Sequence, residues 1–207
     1  MSISLWLAFV AASSVLLAIP GPTILTVISY SMAHGRRANL PLIAAVGLGD
    51  ATALTASILG LGALLATSAF WFTVVKFAGG LYLVYLGIRT LFAKIPSEEV
   101  AAPVIKSQRK LFLNTYLATA SNPKGIVFFV VFLPQFVRPD SAVGEQLWIL
   151  AITFVALAIV NAALYALFAR SARGLFASSA TRTRFNAGGG TLLLLGGLWT
   201  LLEKRPA

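Results

Sequence analysis

Six stretches of this chain are continuously apolar, at about residues 5–30, 40–66, 70–92, 111–136, 148–168 and 185–202. A helix crosses the hydrocarbon core of a bilayer with about 17 to 25 apolar residues, so each stretch is long enough to span. Barrel strands do not fit, because they take only roughly ten residues and alternate between apolar and polar. The fold class that follows is an all-α membrane protein with six transmembrane helices. Composition agrees: 58% of residues are hydrophobic and 11% charged, against roughly 25% charged in a soluble domain. Such a chain cannot cover a globular surface with polar groups, so a soluble enzyme and a disordered segment are both excluded. The first stretch lacks a basic segment ahead of it and exceeds the roughly 7 to 15 apolar residues of a secretory signal, so it reads as a retained helix.

A net charge of +10 would point to nucleic acid in a soluble protein. Here most basic residues fall between the apolar stretches, where they orient a chain in the membrane, and no nucleic-acid partner is expected. Arg36 and Arg37 follow the first stretch; Lys94, Lys106, Arg109 and Lys110 follow the third; Arg170, Arg173, Arg182 and Arg184 follow the fifth. These three loops share one side, and the opposite side has only Arg138, Lys204 and Arg205. Cytoplasmic loops hold the excess of lysine and arginine, so both termini are expected away from the cytoplasm. The loop at residues 93–110, with Pro96, Glu98, Glu99 and Pro103, reads as a cytoplasmic linker between a first three-helix repeat, 1–92, and a second, 111–207.

The two halves resemble each other where they end. Ala78-Gly79-Gly80, Leu83, Leu86 and Gly87 recur as Ala187-Gly188-Gly189, Leu192, Leu195 and Gly196, at an offset of 109 residues. A repeat with an odd number of spans enters the membrane in opposite directions, so the expected architecture is a pair of inverted repeats. Helices 1 and 4 are each expected to be broken near the middle, by Pro20-Gly21-Pro22 and by Asn122-Pro123-Lys124. One proline in a membrane helix is a kink. Two breaks at matching depth in matching helices are the arrangement with which transporters bind substrate and coupling ions.

Asp50, in Gly47-Leu48-Gly49-Asp50, is the one carboxylate inside an expected span. A charge at the bilayer centre costs at least about 2.5 to 3.5 kcal/mol, so such a group usually faces a cavity, and it suits the uptake and release of a proton. The alternative is an aspartate that hydrogen-bonds helices together. Lys124 follows the second break, and from there its stem would have to reach about 15 Å to snorkel. It therefore needs Asp50 as partner, or a substrate carboxylate shared with the positive end of the half-helix that begins at Asn122 or Gly125. Lys76 and Arg89 lie nearer helix ends and snorkel. Asn161, Asn114 and Gln135 either line a path or bond across helices. Tyr82 and Tyr85 read as packing or interface anchors, and His34 as a solvated loop residue. No serine, histidine and acid set shares depth and side, so hydrolase chemistry has no support and no enzyme is expected. With no cysteine and a single histidine, disulfides, thiolate metal sites, iron-sulfur clusters and multi-histidine sites are excluded, and no cofactor or metal is expected.

Together, Pro20-Gly21-Pro22, Gly47-Leu48-Gly49-Asp50, Ala78-Gly79-Gly80-Leu81-Tyr82-Leu83 with Tyr85-Leu86-Gly87, and Asn122-Pro123-Lys124 followed by Phe132-Leu133-Pro134-Gln135-Phe136 resemble the LysE/RhtB family of bacterial amino-acid exporters. The resemblance covers the whole chain. It implies efflux of amino acids such as threonine, homoserine, leucine or lysine, driven by the proton-motive force across the bacterial inner membrane. It points to the two breaks (Pro20, Gly21, Pro22, Asn122, Pro123 and Lys124) as substrate-binding and to Asp50 as proton-coupling. A distantly related branch uses a cysteine pair and another exports metals, and the residues those need are missing here. The function expected is a secondary transporter exporting an amino acid or related zwitterion by proton antiport with alternating access. The alternatives are a passive channel, or a non-transporting membrane scaffold or subunit assembling through Gly79, Gly80, Gly188, Gly189 and Gly190. The same glycines fit a homodimer of transporters.

Overall fold

The computed structural model describes residues 1–19, 21–67, 69–92, 107–138, 141–169, 171 and 179–202. The linker read at residues 93–110 lies almost wholly outside them. Among the described residues there are helices and no strands: α1 (Ile3–Ala18), α2 (Pro22–His34), α3 (Arg36–Thr67), α4 (Ala69–Leu91), α5 (Gln108–Ala120), α6 (Pro123–Val127), α7 (Val143–Leu167) and α8 (Ser179–Leu202). A π-helical turn, Phe128–Phe132, and a 3-10 turn, Leu133–Phe136, continue α6.

Four stretches are long and apolar enough to cross a membrane: Arg36–Gly60, Gln108–Phe136, Val143–Leu167 and Thr183–Leu202. The pair α1 and α2, which meet at 55°, makes a fifth if it crosses as one bent span. The sixth expected crossing falls on α4, whose apolar run Phe77–Leu91 is shorter than a span. Large apolar side chains face outward, among them Leu40, Ile152 and Leu202. A water-soluble protein does not expose so many, and the surface is one that lipid would cover.

The interior is aromatic. Phe154 of α7 meets Phe129 edge-on at 4.8 Å and Phe128 at 5.7 Å, and Phe9 of α1 meets Phe136 at 5.3 Å. This cluster ties α1, the turns after α6, and α7 into one core. Connections at the ends are tight. Gly35, at φ 66°, turns α2 into α3, a left-handed conformation that glycine adopts without steric cost. Gln146 of α7 accepts from the Arg138 N–H at 3.0 Å and donates to its carbonyl at 2.9 Å, which fastens the chain before α7.

Among the described residues the most extensive helix pairing is α4 with α8, antiparallel and seamed by glycine. A β carbon on Gly87 would lie 2.7 Å from the Gly190 carbonyl oxygen, and one on Gly197 would lie 2.7 Å from that of Gly80. The backbones approach so closely only because no side chain stands between them. Sequence alignment pairs Gly80 with Gly189 and Gly87 with Gly196, at an offset of 109 residues. In the packing Gly87 meets Gly190 and Gly80 meets Gly197, while Gly79 faces Val131 and Gly189 faces Ile19. Thus Gly79, Gly80, Gly189 and Gly190 meet their neighbours inside the chain, and only Gly188 of that group faces open space.

Candidate functional site

Both expected breaks are present, and both are built alike. Each helix restarts with proline at its first position, Pro22 in α2 and Pro123 in α6. Proline suits that position because its missing N–H would have no partner in the helix anyway. Gly21 caps α2 with no side-chain bond, so the Thr23 and Ile24 N–H groups have no partner within the helix. Asn122 caps α6 with its own side chain, accepting from the Lys124 N–H at 3.1 Å. Asn122 thus caps one N–H of α6, whereas the start of α2 has no side-chain cap. Pro20 lies outside the described residues, as does the side chain of Pro22.

The breaks lie side by side. Asn122 donates through Nδ2 to the Thr23 hydroxyl at 3.3 Å, joining the start of α6 to the start of α2. The end of α1 is held by three donors on three consecutive carbonyls. Lys124 Nζ donates to Leu16 at 3.2 Å, Asn161 Nδ2 to Leu17 at 3.1 Å, and the Tyr165 hydroxyl to Ala18 at 2.8 Å. A helix leaves its last carbonyls without partners, and at membrane depth only protein groups can supply them.

Asp50 reaches the same place by way of its glycines. A β carbon on Gly47 would lie 2.7 Å from Ile159 of α7, and one on Gly49 would lie 2.7 Å from Thr119 of α5. The two glycines let α3 sit between α7 and α5, and Asp50 follows at once in the chain. A cleft of about 60 Å³ is lined by Gly21, Thr23, Asp50, Asn122, Lys124 and Asn161, with apolar residues between them. Asp50 and Lys124 share this cleft but form no ion pair, and no described residue hydrogen-bonds the Asp50 carboxylate. The pairing of Asp50 with Lys124 is thus replaced by one between Lys124 and the Leu16 carbonyl. A space of that volume has room for a few waters.

Of the remaining candidates, Asn161 lines the cleft, while Asn114 and Gln135 do not. Asn114 is exposed, and Gln135 donates to the carbonyl of Val131. Tyr82 and Tyr85 pair with each other at 6.0 Å, with Tyr85 turned outward. His34 closes α2, half-buried, with Nδ1 3.2 Å from the Tyr30 carbonyl and Nε2 enclosed without a partner, so it is not a solvated loop residue. Arg89 is exposed near the end of α4, and the side chain of Lys76 lies outside the described set. No group of three histidine, aspartate or glutamate residues able to hold a metal occurs among the described residues. Two contributors were missed in the sequence, Tyr165 and Thr23. The signal for Tyr165 was its position four residues after Asn161, which puts both on one face of α7.

Residues 14–204 match the family model described as LysE type translocator. An uncharacterized membrane protein of Vibrio cholerae is 35% identical over 155 residues, 75% of this chain and 76% of that protein. A homoserine/homoserine lactone efflux protein of Salmonella typhimurium is 28% identical over 197 residues, 95% of this chain and 96% of its own length. A leucine efflux protein of the same organism is 30% identical over 150 residues, 72% of this chain and 70% of its own. No solved structure matches the chain. The match to the family model runs through both helix breaks and the aspartate between them, and this chain belongs to the LysE type translocator family.

Proposed function

We propose that this protein exports an amino acid or a closely related small zwitterion across the bacterial inner membrane, in exchange for protons and by alternating access. The observation that carries the reading is the meeting of two helix breaks at one cleft, where an ammonium group is held by a freed carbonyl and a carboxylate stands without a partner. Relatives named for the efflux of homoserine, its lactone and leucine support the same substrate class.

The substrate carboxylate takes Lys124 Nζ from the Leu16 carbonyl, because a charged acceptor forms a stronger bond than a neutral one. The open N–H groups of Thr23 and Ile24 add donors at the positive end of α2. Asp50 receives either the substrate ammonium group or a proton, and competition for that one site couples the two flows. When Lys124 leaves Leu16, α1 loses one of its three fastenings, so binding is linked to movement of α1 against α6. The cleft of about 60 Å³ is far below the roughly 300 Å³ of an ordinary ligand site, so substrate entry requires opening. The matched glycines of α4 and α8 support an inverted pair of three-helix repeats, and the basic loops support termini outside the cytoplasm.

Proton-driven efflux in inside-out vesicles tests this reading. Asp50→Asn is expected to abolish the response of flux to an imposed pH gradient, and Lys124→Ala to weaken apparent substrate affinity tenfold or more. Full retention of gradient-driven transport in Asp50→Asn rejects the coupling role, and unchanged affinity in Lys124→Ala rejects the clamp.

A further inference from the structure

A second cavity lies beside the polar cleft and is opposite in character. It measures about 290 Å³ and sits between α1, α4, the π-helical turn and α8, with every lining residue apolar or glycine. Gly196 helps keep it open: a β carbon there would already stand 3.0 Å from the Phe132 ring. Leu16 and Ile19 line both spaces. The partition between them is therefore the end of α1, and Leu16 is also the residue whose carbonyl occupies Lys124.

We propose that the apolar cavity is the side-chain pocket of the transport site, and that it selects α-amino acids with a branched aliphatic side chain. This rests on the export reading above. The polar cleft alone is too small for such a molecule, whereas the neighbouring cavity, at about 290 Å³, approaches the roughly 300 Å³ at which small-molecule sites begin. A carboxylate that displaces the Leu16 carbonyl from Lys124 lies against the residue that also walls the apolar space. The pocket has no polar side chain to meet a hydroxyl or ammonium group, so a polar substituent entering it loses water without replacement. Val15 and Leu192, both lining residues, are 40% and 46% exposed, which makes a lipid acyl chain the competing occupant. The wall at Leu16 and Ile19 that the cavity shares with the Lys124 cleft favours the substrate.

The test compares leucine and homoserine efflux from inside-out vesicles for the wild type, a filling variant, Ala12→Leu, and an enlarging one, Leu192→Ala. Ala12→Leu, at a residue that also lines the cavity, is expected to lower leucine efflux about tenfold relative to homoserine efflux, the scale at which an apolar pocket discriminates by small changes in volume. Leu192→Ala is expected to shift preference from leucine towards phenylalanine. The thermal unfolding midpoint of each variant in detergent is the control for folding. Equal losses of both substrates in Ala12→Leu, with no shift of preference in Leu192→Ala, overturn the pocket and leave the export reading standing. Unchanged efflux of both substrates in Ala12→Leu, with loss of phospholipid that copurifies with the wild type, overturns it in favour of an acyl chain. A wild type that moves neither amino acid removes the export reading and this inference together.

Discussion

The carbonyls of Leu16, Leu17 and Ala18 each take a donor from another helix, Lys124, Asn161 and Tyr165 respectively. The three donors are not equivalent. Lys124 and Asn161 stand in the cleft, whereas Tyr165 is not among the residues lining it and bonds the last carbonyl of α1. Tyr165→Phe keeps the ring and deletes the bond, so a loss of about 0.5 to 1.5 kcal/mol in stability is expected. It would appear as a lower midpoint of thermal unfolding in detergent, with the ratio of leucine to homoserine efflux unchanged; an altered ratio would mean that the hydroxyl touches substrate. The sequence makes the breaks readable, because proline beside glycine or asparagine has few other uses inside a span. The place of Tyr165 on the face of Asn161 is readable too, but its bond is not, because a tyrosine in an apolar helix usually packs and this one's acceptor is a backbone carbonyl 147 residues away.

Among the elements, α4 and α8 depend most directly on missing side chains. Gly87→Ala would press a methyl group to 2.7 Å from both the Gly190 oxygen and the Leu194 nitrogen, backbone atoms that cannot turn aside. Overpacking of that kind costs about 1 to 3 kcal/mol. Gly188→Ala places its methyl group in open space on the same pair of helices, and a change within about 0.5 kcal/mol is expected. Thermal unfolding of the two variants side by side checks the seam; equal midpoints would show that α4 and α8 do not pack as described. The glycines of α4 and α8 were visible in the sequence, but which of them pack was not. Three consecutive glycines, Gly188, Gly189 and Gly190, permit several alignments, and the face that packs is fixed by partners such as Ile19 and Val131 that lie in other spans.

For the whole molecule, hydropathy foretold the all-helical membrane fold, while the number of crossings rests on α4 and on the bent pair of α1 and α2. The chain has no cysteine, so single introduced thiols report sidedness without background. Arg37, at the start of α3, Ser107, ahead of α5, and Ser141, ahead of α7, are all exposed. If α3 and α4 both cross, Arg37→Cys and Ser107→Cys lie on one side, and the excess of basic residues makes that side cytoplasmic. The stretch Gln108–Phe136 then carries the chain across once more, which places Ser141→Cys outside. A membrane-impermeant maleimide is expected to label Ser141→Cys in intact spheroplasts, and the other two only in inside-out vesicles. Labelling of Ser107→Cys from outside, with Arg37→Cys still inside, would show that α4 does not cross. In that case the two halves could not be inverted copies, since an inverted pair requires an odd number of spans in each.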